Sequence, residues 1–208
     1  MPRIEAADLT ASQAYALLVG TVVPRPIAWV TSMGSGERIN AAPFSCYTFV
    51  CNQPPMVAIN CGRRRDGFKD TARNIRASRE FVVNVVTEDL IGPMHQSSAD
   101  YPEDISEPDL LAIELAPSHV VRPPRIAASP IALECRLQQI MELGVQRSEL
   151  IIGEVVVFHI SDDLLVGGRI DTRRFRPLAR LGGPYYARLG EIITMPRVGN
   201  PGPPANAE

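Results

Sequence analysis

The 208-residue chain reads as a mainly β protein with helical decoration, a barrel or sandwich in one domain. Three observations predict this. Short apolar, β-branched segments such as Ile27–Met33, Met56–Cys61 and Phe81–Val86 are joined by turns rich in Gly, Pro and Asn. Two longer apolar segments, Leu133–Leu143 and Leu150–Ile160, occupy the second half. No glycine-rich fingerprint links an early strand to a helix, which disfavours a doubly wound fold.

The elements follow in order. Thr10-Ala11-Ser12-Gln13 is a capping-box pattern, so a helix is expected from Ala11 to about Val19, ended by Gly20. Pro26 opens the first strand, where a missing N–H costs least, and Gly34-Ser35-Gly36-Glu37 makes a hairpin loop. Arg38–Ala42 and Phe44–Val50 read as strand broken at Pro43, and Asn52-Gln53-Pro54-Pro55 as a turn. A basic loop, Arg63-Arg64-Arg65-Asp66-Gly67-Phe68-Lys69, leads into a helix over about Thr71–Ala77, with Asp70 or Thr71 as its cap. Thr87–Ser98 is expected to be helical and bent or divided by Pro93. Acidic Ala99–Asp109 is a loop. Leu133–Leu143 alternates, which buries one face. Leu150–Ile160 is almost continuously apolar, which predicts cover on both faces. The domain spans 1–199, and the Pro/Gly/Ala-rich stretch 200–208 is expected to be a disordered tail.

Composition narrows the function. Hydrophobic residues make up 45% of the chain, enough for a sizeable core. A net charge of -2 gives no case for nucleic-acid or membrane binding. The apolar runs fall far short of the roughly 20 residues a bilayer requires, and Met1–Asp8 lacks the core of a signal peptide. Cys46, Cys51, Cys61 and Cys135 form no CxxC pair and have no His at metal-ligand spacing, so they read as small apolar residues and no metal is expected. A soluble cytoplasmic protein fits.

Three places can carry chemistry. Thr31 and Ser32 end the first long strand, where hydroxyls can bond a phosphate or a sugar oxygen, or satisfy the hairpin backbone. Lys69-Asp70-Thr71 precedes a helix whose first amides lack partners and whose dipole favours an anion. Lys69 adds a point charge and Arg63 or Arg64 a planar fork, although a capped surface helix uses the same residue types. Ala41-Ala42-Pro43-Phe44-Ser45 offers small side chains and open backbone to a flat ring, or merely kinks a strand. Ser45 lies in no G-x-S-x-G elbow, and His95, His119 and His159 fall in no short-range pattern with a carboxylate. No catalytic side chain is assigned, so redox chemistry falls to a bound cofactor.

Together, Pro24–Ser32, Asn40–Ser45, Lys69-Asp70-Thr71 with Asn74-Ile75, and Glu80–Asn84 form a specific pattern. With Gly153-Glu154-Val155, His159 and Arg180–Tyr185 further on, the chain resembles the flavin reductase-like, or flavoredoxin-like, family over roughly Gly20–Arg197. The resemblance implies a split β-barrel that binds FMN near a homodimer interface, with FAD as an alternative flavin and NADH or NADPH as electron donor. It implies a flavin reductase that passes reduced flavin to a monooxygenase or another acceptor. An electron-transfer flavoprotein that retains FMN, and a flavin-storage protein without turnover, are alternatives. Carried onto matching positions, the family's cofactor site falls on Thr31, Ser32, Ala42, Ser45, Lys69 and Thr71, with Asn60 and Arg64 as further members.

Overall fold

The computed structural model describes residues 1–64, 67–196 and 199. The expected tail at 200–208 and the Arg65-Asp66 tip of the basic loop lie outside the described residues. Helix α1 (Ala11–Thr21) starts at the expected capping box, with Gln13 N donating to Thr10 Oγ1 at 3.3 Å and Thr10 N to Gln13 Oε1 at 2.9 Å. Gly20 does not end it. The Thr21 hydroxyl bonds back to the Leu17 carbonyl at 2.9 Å, and the last turn closes beyond the glycine.

Strands β1 (Arg25–Pro26) and β2 (Ala28–Met33) follow, and a hairpin leads to β3 (Ile39–Phe44). β3 runs through Pro43, contrary to the expected break. It is an edge strand, so the missing proline N–H deprives no neighbour of a bond. The chain breaks instead at Ser45-Cys46, after which β4 (Tyr47–Asn52) and β5 (Pro55–Cys61) form a second hairpin. In α2 (Asp70–Ser78), Lys69 rather than Asp70 or Thr71 occupies the N-cap position, because Asp70 is drawn into ion pairs with Arg64 and Arg73. β6 (Glu80–Val85) precedes a 3-10 turn at Glu88–Leu90 and the short helix α3 (Ile91–Gln96). The expected helix is thus divided ahead of Pro93, which sits in the first turn of α3, where an N–H has no helical partner to lose. The acidic loop carries one further turn of helix, α4 (Glu107–Leu110), capped by Ser106.

β7 (Leu115–Ala116) pairs with β8 (Arg125–Ile126), and β9 (Ile131–Leu143) with β10 (Ser148–Ile160) in a long hairpin. β11 (Leu165–Val166) pairs with β12 (Arg169–Ile170), while β13 (Leu178–Arg180) lies between β1 and β14 (Tyr186–Arg188). The expectation for Leu150–Ile160 is only half met. Buried and half-buried residues alternate along β10, and Phe158 is exposed. Cys61 and Cys135 are core residues as read, but Cys46 is exposed and Cys51 half-buried.

The main sheet is antiparallel, in the order β3-β2-β6-β9-β10-β5-β4. Its two edge strands are consecutive in the chain. The chain passes directly from one to the other at Ser45-Cys46, which brings the sheet round on itself, and Asn60 N donates to Cys46 O at 2.8 Å as the last bond of the β4–β5 ladder. Along the rest of β3 no strand pairs on the outer side among the described residues, so the barrel is split there. Val30, Phe44, Ile59, Phe81 and Ile151 fill the barrel, and Ala72 and Ile75 of α2 join them. Gly153 is required by this core, since a Cβ there would stand 2.4 Å from Phe81 Cζ. The opposite face of β2 presents Trp29 to a second core with Leu90 and Met94, and Trp29 Nε1 donates to Ser97 Oγ at 2.9 Å. Among the described residues no helix is long and apolar enough to cross a membrane.

Two buried charges tie peripheral segments to this frame. Arg25 donates to Val19 O at 2.7 Å, Val22 O at 2.6 Å and Leu181 O at 3.0 Å, which satisfies carbonyls at the end of α1. Glu134 on β9 accepts the amides of His119, Val120 and Val121 at 2.5, 2.7 and 3.0 Å and faces His159 Nε2 at 2.6 Å. A carboxylate can only accept, so that imidazole nitrogen carries the hydrogen. This clasp is the role of His159.

Candidate functional site

The open edge of β3 is where the fold leaves backbone available. Glu107 Oε2 takes the Ala41 N–H at 3.0 Å, and Pro43 has no N–H to offer. These two devices keep another strand from pairing there. A small cleft of about 50 Å³ opens beside the edge, lined by Ala42, Pro43, Arg64, Lys69, Ser97 and Glu107 among others.

The basic loop supplies its cations. Lys69 is the only lysine in the chain, and it makes no ion pair among the described residues. Its extended backbone at the N-cap sets it beside the first amides of α2. Arg64 pairs with Asp70 at 3.1 Å and donates to Tyr101 O at 3.4 Å. Its Nε is buried without a hydrogen bond among the described residues, 3.5 Å from Asp100 Oδ1. Arg63 points elsewhere. It bonds Glu142 at 2.9 Å and lies over the Phe68 ring at 4.3 Å, a ring that Arg76 also meets at 4.7 Å, so it anchors the loop.

Asn40 and Asp70 are shared with a larger lobe of about 320 Å³. Arg38, Arg73 and Arg122 line it, with Gly34, Asn74 and Glu103. A Cβ on Gly34 would stand 3.0 Å from Asn74 Oδ1, so glycine keeps that wall open. The two lobes are adjacent through those shared lining residues, carry cations at several points, and both take lining residues from β3 and α2.

Of the residues expected from sequence, Ala42, Arg64 and Lys69 meet in the smaller lobe. Thr71 lies directly behind it, buried, and its Oγ1 accepts from Asn40 Nδ2 at 2.9 Å. Ser32 is buried and accepts from Asn74 Nδ2 at 3.2 Å. Thr31 is buried on the other face of β2, donating to Pro124 O at 2.6 Å. Ser45 sits at the barrel joint near Arg25 Nε, 3.4 Å away, and Asn60 accepts from Ser148 at 2.7 Å. Sequence reasoning passed over Arg38, Arg73, Ser97, Glu107 and Arg122. Asn40 and Asn74 carried a visible signal, since both stand inside the quoted motifs.

Burial sorts the titratable groups. The Cys61 thiol is pushed up to about 12 by burial, so it is inert. Glu107 is raised by burial, which the Ala41 amide only partly offsets. Burial also presses on Glu134, but the backbone amides and His159 outweigh it and hold the carboxyl at about 2.

The comparisons agree with this architecture. A flavin reductase like domain matches residues 19–179. An uncharacterized protein of Halalkalibacterium halodurans is 40% identical over 195 residues, 91% of this chain and 93% of the relative. The structure of nitrilotriacetate monooxygenase component B from Bacillus cereus superposes with a TM-score of 0.91 at 33% identity, covering 94% of this chain and 98% of that one. That of 2-nitrobenzoate 2-nitroreductase NbaA from Pseudomonas fluorescens gives 0.87 at 34% identity, covering 95% and 96%. With its split barrel and a family match over most of its length, the chain belongs to the flavin reductase-like family.

Proposed function

We propose that the protein binds FMN across the two adjacent lobes, which together form one bent cleft, and acts as an NAD(P)H-dependent flavin reductase that serves a monooxygenase partner. The observation that carries this is the meeting, in one lobe, of a lysine with no ion pair among the described residues, an arginine whose buried Nε makes no hydrogen bond among them, and an open strand edge. Those groups fit a flat ligand that bears an anion. Bound FMN supplies the hydride acceptor between NAD(P)H and the next acceptor. Lys69 and Arg64 hold the phosphate, and the Ala42-Pro43 backbone supports the ring. Thr71 and Ser32 act from behind through Asn40 and Asn74, and Thr31 braces β2. The monooxygenase partner rests on the likeness to nitrilotriacetate monooxygenase component B. All four cysteines are free, which suits a reducing compartment such as the cytoplasm.

The smaller lobe is far below the roughly 300 Å³ at which ligand pockets begin, so one chain does not enclose a flavin ring. Exposed apolar residues supply the remedy. α1 buries none of its residues and shows Tyr15 and Leu18 to solvent, and Phe49, Ile193 and Met195 are 78%, 80% and 76% exposed. A homodimer that covers these surfaces encloses the cofactor.

A second reading draws on the likeness to a nitroreductase. In this reading the flavin stays bound and reduces a small aromatic acceptor directly. One experiment separates the two. NADH or NADPH oxidation is followed with the protein alone, with excess FMN, and with 2-nitrobenzoate. Turnover that needs free FMN supports the reductase, turnover that needs only the nitroarene supports the second reading, and no flavin binding overturns both.

A further inference from the structure

One buried carboxyl at the open edge of β3 stands apart. Glu149 is met by Arg63 and Arg76, and Glu134 by three amides and His159. Glu107 is buried too, yet it has the Ala41 N–H and no cation within ion-pair distance among the described residues. It lines the cleft beside Ala42.

We propose that Glu107 is a proton-holding positioning residue of the cleft, which keeps β3 open through the Ala41 amide and takes up one proton from solvent when a flavin covers it. This rests on the reading of the cleft as the flavin site. A flat ligand on Ala42-Pro43 removes the carboxyl's remaining water, and desolvation disfavours its charged form. Burial has already moved the group upward in the free protein. Affinity therefore falls as pH rises through the window, above the ordinary 4.5, in which the free cleft is ionised and the covered one is not. The charged groups that act on Glu107 are Arg64 of the loop and Asp70 of α2, and Lys69 and Asp100 share the cleft lining with it. Asp109 on its own helix is exposed, and His95 on α3 turns its ring to Tyr186 OH at 2.9 Å.

Riboflavin is the probe, because it lacks the phosphate whose own titration would confuse FMN. Its dissociation constant is measured by fluorescence quenching between about pH 5 and about pH 8, and a further unit of upward shift on binding gives about a tenfold loss of affinity. Glu107→Gln keeps an acceptor for the Ala41 amide and should flatten the profile to within about twofold. His95→Gln should follow the parent. Calorimetry in two buffers of different ionisation enthalpy should show proton uptake in the parent and none in Glu107→Gln. A flat parental profile, or a slope that survives in Glu107→Gln, overturns the proposal. Absence of riboflavin and FMN binding at every pH would instead overturn the reading of the cleft.

Discussion

Glu134 and Glu107 are both buried, and both accept backbone amides, yet their environments drive them in opposite directions. Glu134 has four donors and sits at about 2, whereas Glu107 has the Ala41 amide and its own backbone amide and is raised. Burial alone does not decide the state of a carboxyl, and the number of donors aimed at it does. The difference also follows position. Glu134 clasps the loop around His119–Val121 to β9, where nothing else has to enter. Glu107 stands at the split of the barrel, where strand pairing ends and the cleft begins. The clasp is satisfied within the fold, and the cleft edge keeps unspent hydrogen-bonding and charge capacity.

Glu134→Gln probes the clasp and should have the largest effect. The folded carboxyl lies below its ordinary 4.5, so its stabilisation is present above that value and lost as pH falls toward about 2. The interval corresponds to about 3 kcal/mol at neutral pH. Urea unfolding should show that loss for Glu134→Gln at pH 7 and a much smaller difference near pH 2. A variant as stable as the parent at pH 7 would remove the clasp from the comparison.

On the cleft side, Lys69→Ala should leave unfolding nearly unchanged, because Lys69 makes no ion pair among the described residues. It should weaken FMN by about 1.5–3 kcal/mol, the value of a charge-assisted contact, and riboflavin hardly at all. Equal loss for both ligands would assign Lys69 to the ring or the fold instead. His159→Leu returns to the clasp with a smaller effect. It removes one of four donors at a partly exposed position, so about 1 kcal/mol is expected. The Glu134 carboxyl should then titrate higher, and acid unfolding should begin at a higher pH.

Strands were legible because β-branched runs and turn residues report local backbone preference, and the family through the resemblance carried by the motifs at Pro24–Ser32, Asn40–Ser45 and Lys69–Ile75. The capping box at Thr10 was legible for the same reason. Lys69, Arg64 and Ala42 could be chosen because they lie inside contiguous motifs. Glu107 and Arg122 could not, since each reaches the cleft from a segment far along the chain, and only the rolled sheet brings them in. The straight course of β3 through Pro43 was hidden for a related reason. Proline reads as a break unless the strand is known to be an edge, and edge status is a property of the whole sheet. Thr31 shows the converse, where a motif residue points into the protein and bonds Pro124 O.

The smallest expected effect is also the sharpest test of the contrast. Glu107 is raised in the folded state, so above its ordinary 4.5 the folded chain holds more proton than the unfolded one. Stability contributed by this group therefore falls as pH rises through that window, opposite to Glu134. Glutamine at 107 carries no charge to desolvate and still offers an oxygen to the Ala41 N–H. At neutral pH, Glu107→Gln should thus melt at the parental temperature or slightly above, and the difference should vanish near pH 4.5. The same substitution at 134 costs stability because several converging donors lose an anion. If both variants are destabilised alike at pH 7, Glu107 is a structural anion as fully held as Glu134, and the cleft edge is as closed as the clasp.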